Sequence, residues 1–237
     1  MNRSLLFAAI FALSGTAALC GTAAAHEPAT QGHGQGQDID KVNSSITAEA
    51  GQVYGDLSTV NGAIRIDAGA HLEDAETVNG SIRAEDDIQA RSLSTVNGSI
   101  HAGKRAQLEG SIETVNGGIF VDRGSKVSRS IETVNGAIGI VDTDVGGDIE
   151  TVNGDITVGV GSHVRGGIKV EKPNNNWMGL RIGKQKIPRI VIAPDAIVEG
   201  PLVFEREVKL YVHASARIGS VRGANAVRFE GTSPPRD

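Results

Sequence analysis

Six times the chain writes Thr-Val-Asn-Gly, and the copies fall at an almost fixed interval. The valines are Val60, Val78, Val96, Val115, Val134 and Val152, separated by 18, 18, 19, 19 and 18 residues. A period of that size marks a solenoid, in which each repeat is one coil that buries its apolar side only against its neighbours. The segment KVNSSITAEA at Lys41 sits one period earlier. It keeps Val-Asn but lacks the glycine, as an atypical first coil near a cap should.

Apolar positions lock to the same period. Three before each valine stand Leu57, Ala75, Leu93, Ile112, Ile131 and Ile149, and four after stand Ile64, Ile82, Ile100, Ile119, Ile138 and Ile156. Six after come Ile66, Ala84, Ala102, Val121, Ile140 and Val158; twelve after, four of the six positions are Leu72, Leu108, Val127 and Val164. Short β-branched runs separated by Gly and Asp read as strands, and no amphipathic helix pattern of useful length occurs. At about 3.3 Å per residue, one period traces roughly 60 Å, enough for three short faces, and successive coils pair in parallel at about 4.8 Å. The predicted fold is all-β, a single-stranded parallel β-helix (β-solenoid) of 18–19 residues per coil. With 3% aromatic residues and 31 glycines, the interior must be a thin column of Val, Ile, Leu and Ala.

In this frame Asn-Gly is a corner, formed by Asn61 and Gly62, Asn79 and Gly80, Asn97 and Gly98, Asn116 and Gly117, Asn135 and Gly136, and Asn153 and Gly154. Both residue types tolerate positive φ, and stacked asparagines can satisfy one another's polar groups. A β-hairpin at each Asn-Gly is the competing reading, since the dipeptide is a strong hairpin signal. The near-constant period and aligned isoleucine columns favour the coil. Two registers stay open. Strict alternation through IETVNG puts Ile131, Thr133 and Asn135 inside, with Glu132 and Val134 outside. The six-residue spacing of Val60, Ile66, Leu72 and Val78 puts the valines inside instead, and a corner at Thr would reconcile the two. Outward valines would form an apolar ridge along the solenoid and hence a contact surface.

The flanks divide the chain further. Residues 1–25 have a basic start at Arg3, an apolar run from Leu5 to Leu19 and AAA before His26, which is the layout of a signal peptide cut after Ala25. Cys20 raises lipid anchoring as an alternative, but Leu19 stands where that signal would carry a small residue. Residues 26–40 read as a flexible leader, 41–170 as regular solenoid, 171–188 as an inserted loop, 189–230 as C-terminal coils and a cap, and 231–237 as a disordered tail. The sole cysteine lies in the leader peptide, so the mature chain has no disulfide, thiolate metal site or cysteine nucleophile. Removing Arg3 takes the formal net charge from −5 to −6. This acidic balance, without a Lys/Arg cluster, argues against nucleic acid. No segment of the mature chain is long and apolar enough to predict a membrane span.

The repeated ETVNGDITV over residues 41–170 resembles the adhesin-type β-strand-repeat family of bacteria. The segment IVIAPDAIVEGPLVFEREVKLYVHASARIGSV, within residues 189–222, resembles bactofilins, the polymer-forming cytoskeletal β-helix family. These resemblances imply a β-helix used for adhesion, scaffolding or self-assembly. The signal peptide departs from the cytoplasmic bactofilin pattern.

Polysaccharide-active enzymes also use β-helices, with clustered carboxylates beside Arg or Lys, often around Ca²⁺. Asp142, Asp144 and Asp148 in VDTDVGGDIE are the candidates, against a plainer reading as a tight turn. Glu76, Glu113, Glu132 and Glu150 share one repeat position, where stacked like charges repel. A cation between them, or splayed solvated side chains, would relieve this, and the second is the expectation. His26, as a mature N-terminus near His33, could chelate copper, but no fixed second histidine supports it. His71, His101, His163 and His213 are spread singly. NGS at Asn79 and Asn97 matches a glycosylation sequon and equally the corner. No phosphate loop, nucleophile elbow or zinc motif is present. Catalytic residues, cofactors and metals are therefore not expected.

The sequence reading is a non-enzymatic exported β-solenoid, acting as a structural, adhesive or self-assembling cell-envelope protein of the periplasm, outer-membrane surface or extracellular space. Its expected partners are further copies of itself, end to end or side by side, or envelope polysaccharide. The alternative is a carbohydrate-binding module or polysaccharide-active enzyme, with Trp177, Asn174, Asn175, Asn176 and Arg181 as the contact surface, because sugars stack on aromatic rings.

Overall fold

The computed structural model describes residues 36–173 and 186–235. Its strands form three parallel sheets: ten strands in sheet A, ten in sheet B and seven in sheet C. Each coil runs through A, B and C in turn, and every strand pairs with its counterpart one coil away. In sheet A, Ile112–Asn116 lies between Ser92–Asn97 and Ile131–Asn135. In sheet B, Ile119–Val121 lies between Ile100–Ala102 and Ile138–Ile140. In sheet C, Lys126–Val127 lies between Gln107–Leu108 and Asp144–Val145. The predicted parallel β-helix is the fold, and the hairpin alternative is set aside, since no antiparallel pair occurs among the described strands.

The core is a set of aligned columns. Leu57, Ala75, Leu93, Ile112, Ile131, Ile149, Ile168 and Leu202 stack from sheet A, and Ile64, Ile82, Ile100, Ile119, Ile138, Ile156 and Ile190 from sheet B, all within 2% exposure. Each fully buried isoleucine contributes about 1.5–3 kcal/mol of transfer free energy. Sheet C adds Leu72, Ala90, Leu108, Val127, Val145, Val164 and Val198. Val145 escapes a fixed count of twelve because its coil is one residue shorter between sheets B and C. Aromatic side chains gather at the C-terminal end, where Phe204, Tyr211 and Phe229 are buried.

The regular coils start earlier than the sequence pattern showed. Strand Gln37–Lys41, all but its last residue in the predicted leader, already pairs with Tyr54–Asn61. The insertion enters at one defined point. Ile149 pairs with Ile168, 19 residues on, whereas Ile156 pairs with Ile190, 34 residues on. The additional residues therefore fall between the sheet A strand Ile168–Val170 and the sheet B strand Arg189–Ile192, at the corner where earlier coils carry Asn-Gly. Beyond it the coils resume through Leu202–Phe204, Lys209–His213 and Ala226–Phe229. The predicted tail is described to residue 235, and the Pro235 carbonyl accepts a hydrogen bond from Arg189 Nη2 at 2.7 Å.

Candidate interaction face

The four letters of the repeat have four separate jobs. Threonine points inward: Thr59, Thr77, Thr95, Thr114, Thr133 and Thr151 are 1–4% exposed. The hydroxyls of Thr77, Thr95, Thr114 and Thr133 donate to the carbonyls of Gly62, Gly80, Gly98 and Gly117 one coil back, at 2.9–3.0 Å. Thr59 does the same to Ser44 at 3.0 Å. Thr151 Oγ1, the last of the column, is buried without a partner.

Asparagine points outward, which corrects the alternation that placed Asn135 inside. The chain bends after the valine, so Val and Asn both face solvent and the corner is not at Thr. The amides form a ladder: each Nδ2 donates to the Oδ1 one coil back, from Asn61 on Asn43 through to Asn153 on Asn135, at 2.9–3.0 Å. Arg206 closes the free end. Its Nη1 donates to Asn153 Oδ1 at 2.5 Å and to the Val152 carbonyl at 3.0 Å, and its Nη2 donates to the Lys186 carbonyl at 3.2 Å.

The glycine was expected to supply positive φ, and it does not. A Cβ on Gly62, Gly80, Gly98, Gly117, Gly136 or Gly154 would lie 1.7–2.3 Å from the carbonyl oxygen of the preceding coil's corner. Glycine is required there because backbone stacks on backbone. The positive-φ position lies instead at the turn from sheet B to sheet C, shared by Gly51, Gly69, Asp87, Arg105, Gly124, Asp142, Gly161 and Asp195. Arg105 holds Asp87 with two side-chain bonds of 2.6 Å.

Valine is the fourth letter. Val60, Val78, Val96, Val115, Val134 and Val152 form a half-buried outward ridge on sheet A, with exposed Val42 below them. Two residues earlier on each strand a second column runs parallel: Ser58, Glu76, Ser94, Glu113, Glu132, Glu150 and Lys169 are register partners in turn. Two of the four glutamates are not splayed. Ser111 and Ser130 hydroxyls donate to Glu113 and Glu132 at 2.5 and 2.6 Å and hold them along the sheet. Burial raises the Glu132 carboxyl, opposed by that serine and reinforced by Glu113. Glu76 is likewise raised by burial, then by Asp74 and Asp56. Burial, then Glu132, push Glu150 up to about 7, with Lys169 opposing. Lys169 itself pairs with Glu171.

The other sequence candidates do not converge. Asp142 sits at the B-to-C turn, and Asp144 starts a sheet C strand 3.7 Å from His163 Nδ1. Asp148 accepts the Gly167 amide at 2.6 Å before sheet A. They serve three structural places rather than one site. His163 Nε2 lies 2.6 Å from Glu199, His101 stacks on Phe120, His213 meets Ser215 and the edge of Phe229, and His71 bridges sheet C. Among the described residues no group of three His, Cys, Asp or Glu is placed to hold a metal ion, and no helix is long and apolar enough to cross a membrane. Cys20, His26 and His33, like Asn174, Asn175, Asn176, Trp177 and Arg181, lie outside the described residues. Asn153, Gly154, Asp155, Lys186 and Pro188 line an open groove of about 430 Å³.

Compared with protein-family models, with curated proteins and with solved structures, the chain matches none of them.

Proposed function

We propose that this chain is a non-catalytic, exported β-solenoid that serves the cell envelope as a structural, adhesive or self-assembling element. The observation that carries the reading is the outer face of sheet A, where one side-chain pattern recurs coil after coil beside the threonine, asparagine and glycine stacks. Such a surface suits repeated, distributed contact rather than the enclosed pocket of an enzyme. Residues 1–25 supply the export signal. The test is to express the full chain in a bacterial host, fractionate the cells and sequence the N-terminus of the product. Material outside the inner membrane that begins at His26 supports the reading, and uncleaved cytoplasmic material overturns it.

One observation favours the carbohydrate-binding alternative. Phe120 is 38% exposed on sheet B and stacks on His101 with ring centres 5.2 Å apart. Glycan binding that is lost in Phe120→Ala, with unchanged thermal stability, would move the assignment there.

A further inference from the structure

We infer that the valine ridge and glutamate column of sheet A are a docking face for a lysine- or arginine-rich amphipathic helix of another protein, lying along the solenoid axis. The inference rests on the proposed role as an interaction scaffold and names the partner's chemistry.

Two chemistries run side by side on this face. Val96, Val115, Val134 and Val152 give an unbroken apolar line, and Glu113, Glu132 and Glu150 give three consecutive carboxylates beside it. Asp148 and Glu171 add charge of the same sign, and Lys169 is the cation that ends the glutamate column. Two of the three, Glu113 and Glu132, are held in place by Ser111 and Ser130, so their positions are set before a partner arrives. A second copy of the chain, laying its own ridge on this one, would add carboxylates to a surface already crowded with them. A cationic partner relieves the crowding and covers the valines in the same step.

The pitch selects the partner's conformation. Carboxylates recur along the axis every ~4.8 Å. Residues on one side of an extended peptide recur every ~6.8 Å and drift almost a full rung after two steps. One face of an α-helix recurs every ~5.4 Å and drifts only about 1.2 Å over the same span. The two columns lie two strand residues apart, about 6.6 Å. A helix of ~10 Å diameter seats its apolar stripe on one column and its basic stripe on the other.

The test uses the full chain with its native ends. The probe is a synthetic helix of ~18 residues with adjacent Leu and Lys stripes, and the control is the same composition scrambled. Binding is read by fluorescence anisotropy at low and physiological salt. The patterned peptide should bind, and at least tenfold more tightly than the scrambled one. Glu132→Gln, which keeps the Ser130 contact, and Glu150→Gln should each weaken it several-fold, and Val134→Thr should do so without changing the salt dependence. Equal binding of both peptides, or none, overturns the inference. Overturn also follows if the chain alone grows in mass with concentration and Val134→Thr abolishes that growth, which would give the ridge to a second copy. Peptide binding is independent of where the chain is sent, so correct export without binding defeats only this inference, and binding without export defeats only the envelope role.

Discussion

At Gly136 a methyl group would sit 1.9 Å from the Gly117 carbonyl oxygen, while at Gly69 it would meet nothing closer than 3.9 Å. Gly69 has φ of +70° and Gly136 does not fall in that region. The two glycines are therefore demanded by different physics. Gly136→Ala must push two coils apart and is expected to lower stability by more than about 2 kcal/mol, whereas Gly69→Ala carries only left-handed strain of about 1 kcal/mol. Urea unfolding followed by circular dichroism separates them. Glu150 gives a second prediction. Its carboxyl is pushed from an ordinary 4.5 up to about 7, by burial and then by Glu132, with Glu171 and Asp148 adding to it and Lys169 opposing. Between those values the folded chain binds more proton than the unfolded chain, so stability falls as pH rises through the window and levels off above it. Glu150→Gln should stabilise the protein by about 1–2 kcal/mol at pH 8, after allowance for partial exposure, and by nearly nothing at pH 4. A gain that persists at pH 4 would refute the assignment.

The asparagine ladder behaves as one element. Six amide bonds run from Asn43 to Asn153, and Arg206 supplies the donor that a seventh asparagine would have given. A double-mutant cycle of Asn153→Ala and Arg206→Ala should show a coupling of about 1–2 kcal/mol. Additive losses would mean that the cap contributes nothing. The ladder also shows what a sequence discloses. Period, parallel coil and isoleucine columns were legible because each leaves identical residues at identical intervals. The direction of the valines was not, because alternation and six-residue spacing disagree until the bend after Val134 is located. The positive-φ turn was hidden for the opposite reason: Gly69, Asp87 and Arg105 fill one structural position with three residue types. Arg206 lies 53 residues from the amide it caps, and no local pattern announces it. Of the candidate face, the shared glutamate position was legible, but its serine clamps were not, since Ser111 and Ser130 look like ordinary turn residues in the string.

As a whole the molecule is a stack in which each strand pairs only with the coils before and after it, with Arg206 reaching past one coil to Asn153. Stability should then be graded along the axis rather than uniform. Hydrogen exchange followed by mass spectrometry is expected to find the strongest protection between Ser92 and Asn153, where the threonine, asparagine and glycine stacks coincide, and the weakest at Gln37–Lys41 and Val221–Arg222. Uniform exchange across all coils would contradict nearest-neighbour cohesion. The corner contact also gives the stack a grammar of beginnings. Every glycine corner makes room for the carbonyl of the coil before it, so the demand always points toward the N-terminus. The first coil carries Ser44 at that place, one period ahead of Gly62. Among the described residues no earlier coil lies beneath Ser44, and a Cβ stands there at the place where the next six corners have glycine. A further coil stacked there in the same register would meet the clash that Gly62 avoids, so a hydroxymethyl group works as punctuation: copies that join end to end must shift their phrasing at this corner.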